Sequence, residues 1–218
     1  MEQNTLKKLR LLIPGIIAVI IGTYYYFIIT NKSFEEIEFE EYSIPLLIAI
    51  AFGTLFYLTD IRFLVTNFSH KKIDLNIKNH MIKLYTKSLT NEQKQFLYKN
   101  NRLKNGVFYN IIDNDESLKK KQINVFFNGL IWTSTADLVL ISFFFSFVFL
   151  ISIMIFKEAA NSLLMGGFIL ILISLISLIA HVLAFLKQIK LSNEQIEYIE
   201  THHINRVDEI IDGMVNNI

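Results

Sequence analysis

The chain has 218 residues, 52% of them hydrophobic and 19% charged, with no cysteine and a formal net charge of +1. The lack of cysteine excludes disulfides, thiolate metal sites and cysteine nucleophiles, and the near-neutral balance gives no bulk attraction to nucleic acid or another polyanion. The charges are unevenly spread: they avoid four long windows, and a membrane-crossing helix needs about 20 mostly apolar residues.

The first window, "LLIPGIIAVIIGTYYYFII", covers residues 11–29 and follows Lys7, Lys8 and Arg10. Tyr24–Tyr26 occupy the place where a signal peptide needs small residues, so an uncleaved span is expected. Pro14 then falls in its first turn, where a missing N–H costs little. Gly15, Gly22 and Tyr26 align on one face. Residues 30–43 carry one lysine and five glutamates: Glu35, Glu36, Glu38, Glu40 and Glu41. The second window is 44–65; on a continuous helix Ala49, Gly53 and Asp60 share one side and Arg62 points nearly opposite, long enough to snorkel.

Residues 67–128 hold eleven lysines and Arg102 against five acids. Lysine and arginine near span ends favour the cytosolic side, so this segment and both termini are expected inside. "KIDLNI", residues 72–77, alternates like a short strand. Thr90 with Gln93 three residues on has the form of a capping box, and Ser192 with Gln195 repeats it after the last span. The likeness leaves two readings, a weak internal duplication or a shared good helix start. Asn114, Asp115 and Ser117 are alternative caps for a helix running into the third span. On that helix Lys119, Lys120 and Lys121 would meet anionic headgroups, with Phe126, Phe127 and Trp132 at the interfacial level.

The third span is expected over 130–156 and the fourth over 162–186, joined by the tight turn "KEAAN". Ser134 and Asp137 lie on one side of the third. Gly167, Ser174, Ser177 and His181 make a narrow polar stripe on the fourth, which Gln188 extends. The expected class is therefore all-α, a polytopic membrane protein with four spans in two hairpins. Its segments are 1–66, 67–128, 129–186 and 187–218, with the second and last forming a helical cytosolic layer. A bacterial inner membrane is the expected location.

A charge at the centre of a membrane helix costs roughly 2.5–3.5 kcal/mol on insertion scales, so Asp60, Arg62, Asp137 and His181 need a reason. On unbroken helices Asp60, Asp137 and His181 all lie roughly 10 Å to the cytosolic side of the midplane. Two readings follow: a structural pair of Asp137 with Arg62 or with His181, or a cation or proton path. No catalytic motif is present; His202 and His203 beside Glu200 point about 100° apart and do not suit one metal ion. No catalytic residue, metal or cofactor is expected. The leading expectation is a homo-oligomeric, channel-like or membrane-perturbing effector gated by its cytosolic helices. The alternative is a non-conducting scaffold or immunity-type protein whose cytosolic helices bind a protein or a small ligand. The bilayer is a partner in both, and nucleic acid in neither.

Overall fold

The computed structural model describes residues 3–32 and 43–216, and these are almost wholly helical, with no strand among them. In chain order the helices are α1 (Gln3–Thr30), α2 (Ser43–Leu58), α3 (Phe63–Leu84), α4 (Asn91–Tyr98), α5 (Asn110–Asp113), α6 (Glu116–Ser152), α7 (Ala160–His202) and α8 (Ile204–Val215). Three of them, α1, α6 and α7, are long and apolar enough to cross a membrane, and α2 with α3 makes a fourth if that bent pair is one span. The acidic residues of the 30–43 loop lie outside the described residues.

Four expectations about local structure are corrected. The second window is not one helix: it breaks after Leu58 and resumes at Phe63 with a 51° bend. Asp60 sits in the break at φ 50°, a left-handed conformation that aspartate tolerates better than most residues. Residues 72–77 are helical within α3, because a six-residue alternation is outweighed by the helix continuing on both sides. Pro14 is interior to α1, which begins eight residues before the apolar window. Ser192 starts nothing: it lies inside α7 and its hydroxyl donates to the Gln188 carbonyl. Thr90, by contrast, does form the capping box with Gln93 at the start of α4. Asp115 is the cap of α6, accepting from the Leu118 N–H at 2.8 Å.

The chain divides into two compact units, one of residues 1–67 and 129–184, the other of residues 68–128 and 185–218. In the first, serines and a histidine are buried alongside an apolar cluster, and many large apolar side chains face outward. On α7, Leu163, Leu170, Ser174, Ser177, His181 and Ala184 are buried at steps of three, four or seven, while Phe168, Leu172, Ile176, Ile179 and Leu183 lie outward. Apolar side chains out and serines and histidine in is the arrangement lipid demands. Small residues bring the backbones together: a Cβ on Gly15 would strike the Ala49 backbone, and one on Gly53 the Leu11 carbonyl. Gly22, expected on the same face, meets nothing within 4 Å. Phe149 packs between Tyr24, Tyr25 and Gly166, and the Tyr25 hydroxyl bonds Ser152 Oγ at 2.6 Å.

The second unit is built the ordinary way, apolar inside. Ile77, Met81, Leu97, Leu103, Ile199 and Ile211 belong to one continuous buried cluster. Asn100 and Asn101 both take positive φ, then a π-helical stretch runs from Arg102 to Tyr109 and buries Leu103, Val107 and Phe108. Arg102 covers the Phe96 ring at 3.7 Å and donates to the Phe96 carbonyl. The amphipathic α8 buries Val207, Ile211 and Val215. Its outer carboxylates are tied to the segment after α3: Asp212 receives the Tyr85 hydroxyl at 2.6 Å and the Lys87 ammonium, and Asp208 receives the Thr86 N–H at 2.9 Å.

Candidate functional site

A chain that puts a carboxylate in an apolar bundle must supply its partner from another helix. Asp137 on α6 is 1% exposed, and Arg62 takes both its oxygens: Nε donates to Oδ1 at 2.6 Å and Nη2 to Oδ2 at 2.7 Å. This two-pronged geometry is the strong form of the arginine–carboxylate contact. The break between α2 and α3 is what delivers Arg62 inward rather than out to snorkel. Of the two sequence-based pairings, Arg62 is the one realised.

Arg62 has a third bond, and its cause lies on α1. Nη2 also donates to the Arg10 carbonyl at 3.0 Å. In a regular helix that carbonyl would accept from the N–H four residues later, which is Pro14, and proline has none. An unpaired carbonyl in an apolar setting is costly, so a donor from elsewhere is needed there. One guanidinium therefore joins α1, the α2–α3 break and α6. Gly129 leaves space on α6 for the Arg10 side chain itself: a Cβ there would meet Arg10 Nη2 at 2.6 Å.

The remaining residues of the expected polar layer do not gather at this point. Asp60 is exposed, and its carboxylate has no hydrogen bond or ion pair with any described residue. A depth shared with Asp137 requires an unbroken helix, whereas α2 ends at Leu58 after 16 residues, about 24 Å of rise. His181 is buried, but its Nδ1 donates to the Trp132 carbonyl at 3.0 Å and its ring stacks on that indole at 6.0 Å. A carbonyl only accepts, so Nδ1 carries the proton. Trp132, expected at the headgroup level, is 6% exposed and serves this packing instead. Ser174 reaches across to the Val139 carbonyl at 3.1 Å, Ser177 is buried, and Ser134 is half-buried. Ser146 bonds a carbonyl of its own helix. Lys119, Lys120 and Lys121 are exposed, with Lys121 Nζ 4.9 Å from the Tyr198 ring centre.

Sequence reasoning missed the Arg10 carbonyl. Its signal was present, since Pro14 stands four residues after Arg10. It could be found only once α1 was known to start well before the apolar window. Among the described residues no group of three or more His, Asp or Glu side chains is arranged to hold a metal ion. Compared with protein-family models, curated proteins and solved structures, the chain matches none of them.

Proposed function

We propose that this protein is a non-conducting membrane scaffold that carries a helical polar unit to the cytosolic face of a bacterial inner membrane, where that unit receives a protein partner. The observation that carries the reading is the engagement of Asp137. Both its oxygens, and the carbonyl freed by Pro14, are taken by Arg62, so the strongest intramembrane charge is spent on holding helices together. The basic segment 67–128 supports the cytosolic placement. The second unit, with a buried cluster of its own, supports a presented module rather than a gate.

A homo-oligomeric conducting form is the second reading. It draws on the buried serines Ser142 and Ser146 of α6 and Ser174 and Ser177 of α7. Ion flux into liposomes separates the two. The scaffold reading expects no flux from the wild-type protein and none from Asp137→Asn. Wild-type flux that the substitution abolishes would overturn it and place Asp137 in a pathway.

A further inference from the structure

The register of the helices identifies which lysines stand at the edge of the apolar region. In the second unit, Phe68 of α3 packs on Phe185 of α7, and Asn76 Nδ2 bonds Asn193 Oδ1 at 2.6 Å. Both pairs have the same offset of 117 residues, so α3 and α7 run parallel. Lys71 and Lys72 are therefore level with Gln188 and Ile189, between Lys187 and Lys190. On α6, which runs the other way, Asn128 bonds Gln188 at 2.7 Å and marks the same level. Lys121 lies opposite Tyr198, about 10 Å further along α6 from the apolar run.

Lys71, Lys72, Lys187 and Lys190 are all exposed, on two neighbouring helices. Carboxylates avoid this level: α6 has none between Glu116 and Asp137, and α7 none between Glu158 and Glu194. The one acid near it on α3, Asp74, is occupied by Lys78 at 2.6 Å and Lys104 at 2.7 Å. Large apolar side chains lie exposed beside the lysines: Phe68 at 67%, Leu186 at 54% and Phe127 at 50%. Lys72 Nζ stands 5.6 Å from the Phe68 ring centre.

We propose that Lys71, Lys72, Lys187 and Lys190 form a docking surface for an anionic phospholipid. Its phosphate meets the four ammonium groups and its acyl chains run along Phe68 and Leu186. Ammonium groups act as point charges toward phosphate, so the surface selects charge rather than one headgroup shape. Lys119–Lys121, the more conspicuous run in the sequence, lie too far out to share this contact. The proposal rests on the helices crossing a bilayer and is independent of conduction or of any protein partner.

The test uses the full chain, reconstituted in vesicles of equal parts phosphatidylcholine and phosphatidylglycerol, extracted in mild detergent and weighed by native mass spectrometry. The expected result is retention of phosphatidylglycerol over phosphatidylcholine by on the order of tenfold, weakening as salt rises. K71Q/K72Q/K187Q/K190Q should lose that preference, and K119Q/K120Q/K121Q should keep it. Should the quadruple variant lose helix content by circular dichroism, K71Q/K72Q and K187Q/K190Q are each expected to lose part of the preference while staying folded. An unchanged preference in the folded lysine variants, an equal loss in the Lys119–Lys121 variant, or no preference in the wild type would overturn the proposal.

Discussion

Asp137 and Asp212 are both carboxylates held by more than one donor, in opposite surroundings. Asp137 is 1% exposed among apolar helices and depends on one guanidinium. Asp212 stands at the water's edge, with the Tyr85 hydroxyl and the Lys87 ammonium sharing it. The Lys87 ammonium and the Tyr85 hydroxyl together hold its carboxyl below the usual carboxylate range. The bond to Asp212, and burial after it, push the Tyr85 phenol up to about 12. Removing a partner from Asp212 leaves a charge that water can take over. Removing the partner from Asp137 leaves a charge that water reaches poorly. The same chemical group is thus a clasp in one place and a structural requirement in the other.

The largest expected effect follows from this contrast. Asp137→Ala leaves the Arg62 guanidinium without its carboxylate and should cost roughly 3–5 kcal/mol, read as a lower unfolding midpoint in detergent and a lower folded yield. Replacing both partners with apolar residues, Arg62→Met with Asp137→Leu, should recover only part of that loss, because the Arg10 carbonyl then lacks the Arg62 donor. A single variant as stable as the wild type would mean that Asp137 is not held as the geometry implies.

Asp212→Asn should cost less, and its signature is in pH. The depressed Asp212 carboxyl contributes stability above its unfolded value of 3.8, and that contribution is lost as pH falls below it. Tyr85 has the opposite sign: its contribution is present below 10.0 and lost as pH rises toward about 12. Amide-exchange protection of α8 across pH should show both limbs in the wild type. Asp212→Asn should flatten both, since Asp212 raises Tyr85. An identical profile in the variant would sever the link between α8 and the Tyr85–Lys87 segment.

The smallest effects compare the two look-alike motifs. Thr90→Ala removes a working cap and should cost about 1 kcal/mol, seen as faster exchange in α4. Ser192→Ala removes only a back-bond from a buried hydroxyl to the Gln188 carbonyl of its own helix, which adds little to a helix, and should cost less than loss of the Thr90 cap. Equal losses would mean that the two positions are equivalent after all.

These two motifs also mark where sequence reading succeeds. "TNEQ" and "SNEQ" are nearly identical strings, but a cap must lie outside the helix it opens. Thr90 has extended backbone (φ −69°, ψ 164°) and follows irregular chain. Ser192 follows 32 residues of unbroken α7 whose buried stripe continues through Gln195, Ile196 and Ile199. Hydropathy made the long apolar helices legible because it sums over many residues. The helix break at Asp60 was not legible, because one left-handed residue outweighs any periodicity and shifts all that follows. At that break Asp60 lies exposed, whereas Arg62, two residues on, bonds Asp137. Lys71 and Lys187 could be brought to one level only by contacts between helices that are 117 residues apart in sequence.

The Arg62–Asp137 clasp also has a place in time. Its members are separated by 75 residues, so a ribosome adding about 5–20 residues per second needs on the order of 4–15 s to deliver the carboxylate after the guanidinium. Throughout that interval the earlier helices carry Arg62 with the Arg10 carbonyl to bond but without its carboxylate mate. Arrival of α6 completes the earlier helices as well as adding its own, making the newborn chain's early half dependent on a residue not yet made.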